Sequence, residues 1–68
     1  MRLVEIHQAY EPSSVFINPQ SVSWIGDNGV NIVIKMACGK AITTKFTTSQ
    51  HAIDYLLRAE SVSLTQGA

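Results

Sequence analysis

Two glycine-ended turns, Asp27-Asn28-Gly29 and Ala37-Cys38-Gly39, punctuate a stretch of alternating β-branched residues. Glycine closes such turns because it tolerates the positive φ that other side chains resist. The runs around them, residues 21–26, 30–36 and 40–47, are rich in Val, Ile and Thr and read as strands. An antiparallel three-stranded unit is therefore the feature around which the rest of the chain must fold.

The turn lengths can be tested against the pattern, because a one-residue slip moves every side chain to the other face. In the first turn, a two-residue Asn28-Gly29 loop would set Ile25 opposite Ile32 and Ser23 opposite Ile34, mixing polar and apolar groups. A three-residue loop sets Trp24 opposite Ile32, Val22 opposite Ile34 and Gly26 opposite Val30. In the second turn, a three-residue loop pairs Ile34 with Ile42, Ile32 with Thr44 and Val30 with Phe46. The two choices agree on one apolar face: Val22, Trp24, Val30, Ile32, Ile34, Ile42 and Phe46.

Upstream, residues 2–8 read as a strand with Val4 and Ile6 on one face. A loop over 9–14 contains Pro12, Val15-Phe16-Ile17 is a short strand, and Asn18-Pro19 starts a turn. Downstream the period changes. Ala52, Ile53, Leu56, Leu57 and Ala59 form a helical stripe over 49–59. Thr48 or Ser49 is the expected N-cap, and Asp54 and Arg58 are spaced to pair. The class is α+β: a small antiparallel β-sheet of four to five strands followed by one C-terminal α-helix, in a single domain over 1–68. Residues 61–68 read as a flexible tail or, through Val62 and Leu64, as an oligomer-contact strand.

The segment Phe16-Ile17-Asn18-Pro19-Gln20-Ser21-Val22-Ser23-Trp24-Ile25 resembles the INP-x-x-V-x-x-I signature of the small flagellar FlbD/SwrD-like proteins. Cys38-Gly39-Lys40 and Ala52-Ile53-Asp54-Tyr55-Leu56-Leu57 sit where that family has a Gly-Lys turn and a short helix, so the resemblance spans roughly 14–57. It implies a small, cytoplasmic, non-enzymatic bacterial accessory protein with no catalytic residue to carry over. The same short architecture suits a phage-encoded regulator.

Size adds an energetic argument. Surface scaling gives roughly 6,500 Å² removed from water on folding. Its apolar share is worth on the order of 100 kcal/mol at ~25 cal/mol/Å². Ordering 68 residues costs about as much at ~1.5 kcal/mol each. One cysteine cannot form an internal disulfide, so self-association is the expected support and a homo-oligomer is predicted. Five basic against five acidic residues argue against a nucleic-acid partner, which favours basic surfaces. The N-terminus carries no apolar signal-peptide core and the apolar runs are too short for a membrane partner. With the unpaired cysteine, this points to a cytoplasmic location.

Cys38, His7 and His51 are the soft metal-ligand candidates, but the second hairpin holds Cys38 about 20 Å from the helix start, so no metal is expected. Asp54 could orient His51, yet neither a nucleophile elbow nor an oxyanion hole accompanies them, and no enzyme is expected. The glycines form no phosphate loop, and no cofactor is implied. The outward sheet face is the candidate ligand or partner face. In the chosen register it carries Ser21, Ser23, Ile25, Asn31, Val33, Lys35, Ala41, Thr43 and Lys45. Ile25 and Val33 suit a protein partner. The hydroxyls with Lys35 and Lys45 suit a nucleotide-like anion. The expected function is a self-associating protein-interaction or regulatory module. The alternative is an oligomeric sponge-like protein that sequesters an anionic small ligand on this face or between subunits.

Overall fold

A computed structural model describes residues 2–59. The tail assigned to 61–68 lies outside the described residues. The fold is α+β, with five antiparallel strands in two small sheets and a final helix: β1 (Val4–His7), β2 (Ser14–Ile17), a 3-10 turn (Pro19–Ser21), β3 (Val22–Asp27), β4 (Ile32–Met36), β5 (Ala41–Thr43) and α1 (Ser49–Arg58).

β1 and β2 pair with Val4 opposite Ile17 and Ile6 opposite Val15, while β3, β4 and β5 form a meander. The end of β1 joins the two sheets. Gln8 bridges Thr44, the Ala9 N–H donates to the Thr43 carbonyl at 2.9 Å, and the Lys45 N–H donates to the His7 carbonyl at 3.1 Å. The ladder thus runs β2-β1-β5-β4-β3, leaving one edge of β2 and one of β3 without a strand partner among the described residues.

Alternation decides what is buried. In β1, Val4 and Ile6 point inward and His7 outward; in β4, Ile32, Ile34 and Met36 are buried while Lys35 is exposed. These residues meet Ile17, Ile42 and Leu56 in one core. Thr44 is the buried polar residue. Its hydroxyl donates to the Ile32 carbonyl at 2.8 Å and accepts from the Phe46 N–H at 3.2 Å.

The helix begins where expected. Thr48 is extended and its Oγ accepts from the His51 N–H at 3.2 Å, satisfying one of the free donors of the first turn. Ala52 and Leu56 face the core. The other end is closed from a distance: the Arg2 guanidinium donates to the Leu56 and Ala59 carbonyls at 2.8 and 2.7 Å. A cation at the negative end of a helix is favourable on both dipole and hydrogen-bond grounds. The Tyr55 hydroxyl donates to the Glu5 carbonyl, so the start of β1 and Arg2 just before it hold the helix down. Asp54 and Arg58 pair at 2.8 Å on the exposed side.

The second turn has the expected register, with Ile34 opposite Ile42 and Gly39 at φ 98°. The first does not. Its loop is Asn28–Asn31, closed by a 3.1 Å bond from the Asn28 N–H to the Asn31 carbonyl, and it sets Asp27 opposite Ile32 and Ile25 opposite Ile34. Two side chains make the longer loop affordable. Asp27 Oδ1 accepts from the Gly29 N–H at 2.6 Å, and Asn28 Oδ1 accepts from the Val30 and Asn31 N–H groups at 2.9 Å. A β-bulge between Val22 and Trp24 completes the difference.

The bulge has a reason in the sequence. Val22 and Ile25 are separated by an odd interval, so strict alternation cannot turn both inward. One extra residue at Ser23 does so, and both pack on the core. Trp24 is then expelled, 52% exposed, and Val30 rides on the loop at 69%. Of the expected apolar face, Ile32, Ile34 and Ile42 are buried, Val22 and Phe46 are half-buried against the core, and Trp24 and Val30 are outside.

Candidate interaction surface

The bulge rewrites the outer face of the meander. Directly opposed residues share a face, so Trp24, Lys35 and Ala41 form one row and Gly26, Val33 and Thr43 the next. Val33, Lys35 and Thr43 stand on the outer face, as the sequence predicted. Ile25 does not. It lies opposite Ile34 and Ile42 and turns inward, so it is removed from that face as a correction to the expected register.

The remaining predicted residues are dispersed. Ser21 belongs to the 3-10 turn, and its carbonyl accepts from the Ala37 N–H at 2.7 Å. Ser23 sits at the bulge, its hydroxyl donating to the Lys35 carbonyl at 3.2 Å. Asn31 is in the first loop, with a long 3.4 Å contact from the Tyr10 hydroxyl. Lys35 lines a shallow depression with Ser23, Trp24, Gly39 and Ala41, whereas Lys45 lines a separate cleft of about 270 Å³ with Glu5, His7, Phe46 and Tyr55. The two lysines therefore do not converge on one anion site within the chain.

The most specific feature of the outer face was not foreseen. The six-membered ring of the Trp24 indole lies over Gly26. A Cβ built on Gly26 would stand 2.3 Å from Trp24 Cη2 and 2.4 Å from Cζ2. Only a residue without a side chain permits this close approach. The signal was available in the odd Val22–Ile25 interval, followed by a glycine two residues after the tryptophan.

On the other side of the same strand lies a groove of about 410 Å³, where Val22 and Ile25 meet Pro19, Ile53 and Leu57. Ile53 is 39% and Leu57 75% exposed. The edge of β3 that no described strand pairs is thus flanked by apolar surface on both faces: the indole outside, the helix flank inside. The only charge within β3 is Asp27, at its end.

The soft-ligand and catalytic candidates occupy separate places. Cys38 is exposed in the second turn, and His7 Nδ1 lies 3.1 Å from Ser14 Oγ across the β1–β2 pair. The His51 ring packs edge-on against Phe46 at 5.3 Å, while Asp54 is engaged by Arg58. No helix among the described residues is long and apolar enough to cross a membrane.

These features define a small α+β fold in which three of the six exposed large hydrophobics, Trp24, Ile53 and Leu57, flank the edge of β3 that no described strand pairs. No family model, curated protein or solved structure matches the chain.

Proposed function

We propose that this chain is a non-enzymatic accessory protein of the cytoplasm that works by surface contact, as a self-associating regulatory module whose own contact surface is the β3 flank. The observation that carries the reading is the gathering of Trp24, Ile53 and Leu57 around an unpaired strand edge. Natural proteins blunt free edges with Lys, Pro or a bulge; neither Lys nor Pro occurs between Val22 and Asp27, and the bulge at Ser23 leaves Trp24–Asp27 regular. The resemblance to small flagellar proteins supports an accessory role of this kind.

The magnitudes favour a modest association. Trp24, Ile53 and Leu57 retain 52%, 39% and 75% of their exposure. At about 1.5–3 kcal/mol for full burial of a large apolar side chain, covering them on two copies is worth roughly 5–10 kcal/mol. Association itself costs about 4–15 kcal/mol. The best combination leaves about 6 kcal/mol, so a homo-oligomer with a Kd from tens of micromolar upward to millimolar is expected. Formal charge zero places no net repulsion between copies.

Sedimentation velocity across that concentration range tests the reading. The wild-type chain is expected to sediment increasingly fast with concentration, and Leu57→Ser with Trp24→Ser to suppress the trend while circular dichroism stays unchanged. A wild-type chain that remains monomeric at millimolar concentration refutes it.

A further inference from the structure

We infer that two copies meet along β3 in antiparallel register, with Ile25 opposite Ile25 of the second copy, so that the two meanders continue as one six-stranded sheet. This rests on the self-association proposed above and adds where the copies touch and in which alignment.

Strand alternation identifies which backbone groups are free. The Ile32 N–H donates to the Phe46 carbonyl, the Ile32 carbonyl accepts from the Thr44 N–H, and the Met36 N–H donates to the Lys40 carbonyl. Ile32 and Met36 therefore spend their backbone groups on the β5 side, and Ile34, between them, follows the same parity. Val33 and Lys35 must then face β3, where their opposites are Gly26 and Trp24. Ile25 and Asp27, alternating with those, turn their N–H and C=O groups away from β4 toward the edge that no described strand pairs.

A second antiparallel strand must present outward groups at the facing positions, which restricts the register to a few choices. Ile25 against Ile25 places a twofold axis on the edge, as a symmetric dimer requires. It brings Trp24 beside Gly26 of the second copy, so that the two indoles, each covering its own Gly26, run side by side across the seam, and it sets Asp27 beside Ser23 instead of another carboxylate. A shift that pairs Ile25 with Asp27 would set a carboxylate against an isoleucine, and the symmetry would impose this twice. A shift the other way pairs Asp27 with Ser21, whose carbonyl is already held by the Ala37 N–H.

The flanks fit the same occupant. On the inner side Ile53 and Leu57 share the groove with Ile25, and on the outer side the Trp24 indole covers Gly26. A standard interface takes roughly 800 Å² from each partner. That is about a sixth of the 4582 Å² accessible on this chain. Edge, indole and helix flank supply the surface for it, with Asp27 the one charge on β3 and Arg2, which lines the inner groove, already engaged by the Leu56 and Ala59 carbonyls.

The test is nuclear magnetic resonance on an equal mixture of isotope-labelled and unlabelled full-length chains at millimolar concentration, filtered for contacts between copies. The expected result is an intermolecular contact between the Hα atoms of Trp24 and Gly26. Amide exchange at Ile25 and Asp27 should slow about tenfold from micromolar to millimolar, with β2 unaffected. Intermolecular contacts confined to β2, or Ile25 meeting Asp27, overturn the seam or its register while leaving self-association standing. Absence of any intermolecular contact, with monomer diffusion at every concentration, overturns both.

Discussion

Gly26→Ala tests the tryptophan–glycine contact directly. The backbone at Gly26 is not in the left-handed region, which is occupied by Gly29 and Gly39, so alanine meets no conformational penalty there. By itself, replacing glycine in such a strand position removes freedom from the unfolded chain and stabilises by about 0.4–1 kcal/mol. Here the new Cβ would stand 2.3 Å from Trp24 Cη2, so the indole must swing off the strand. About half of the Trp24 surface is covered, roughly 100 Å² for a side chain of this size. Losing half of that cover costs about 1.2 kcal/mol at ~25 cal/mol/Å².

The two effects oppose each other, so the single variant is expected to be destabilised by only about 0.5 kcal/mol, the difference between contact loss and chain-entropy gain. The informative quantity is the coupling. In a Trp24→Ala background the obstacle is gone, and Gly26→Ala should stabilise by its full ~0.4–1 kcal/mol, a coupling of about 1 kcal/mol. Urea unfolding of the four chains at low micromolar concentration measures it. The chain has one tryptophan, so emission reports the same event, moving to longer wavelength in Gly26→Ala. If Gly26→Ala stabilises equally in both backgrounds and emission does not move, the indole does not rest on Gly26 and the reasoning about the bulged strand fails.

Three further substitutions probe the frame that holds this strand. Arg2→Ala removes both donors to the helix end and should cost about 1–2 kcal/mol in urea unfolding, with Arg2→Lys recovering part of it because a point charge still meets the dipole. Thr44→Val keeps the shape of a fully buried residue but removes the Ile32 carbonyl's second donor and leaves the Phe46 N–H without its acceptor, for an expected loss of about 1–3 kcal/mol read by thermal unfolding. Gly39→Ala meets open space, so any loss, expected near 1 kcal/mol, comes from φ 98° alone; a neutral result in denaturant melts would contradict the left-handed turn.

The second hairpin was legible because its pattern is strictly periodic. Ile32, Ile34 and Ile42 occupy alternate positions and Gly39 marks the turn, so one register alone makes an apolar face. The helix was legible for the same reason, with Thr48 as a local start signal. The first hairpin resisted because two local devices act together. Asp27 and Asn28 satisfy the N–H groups of a longer loop with their own side chains, and the bulge changes parity halfway along β3. A rule that maximises apolar pairing sees neither and prefers to bury Trp24. The helix end was hidden for a different reason: Arg2 and the helix are distant in sequence, and only the fold brings the guanidinium to the Leu56 and Ala59 carbonyls.

The misread position and the candidate surface are the same event seen twice. To bring both Val22 and Ile25 onto a small core, β3 must take an extra residue, and the residue turned outward as a result is the largest apolar side chain in the molecule. A core of this size gains from the two aliphatic groups, which fit against Ile34 and Leu56, where an indole would not fit without opening the sheet. The exposed tryptophan is then partly sheltered by lying on Gly26, which explains why a glycine is placed in a strand interior that would otherwise disfavour it. What shelter Gly26 does not give, a second chain across the free edge can. On this argument, deleting Ser23 makes the Val22–Ile25 interval even, so plain alternation turns both inward and leaves Trp24 outward with no bulge. Urea unfolding and self-association should then both survive the deletion, whereas loss of either would refute the reading that the extra residue is there to set the parity of β3.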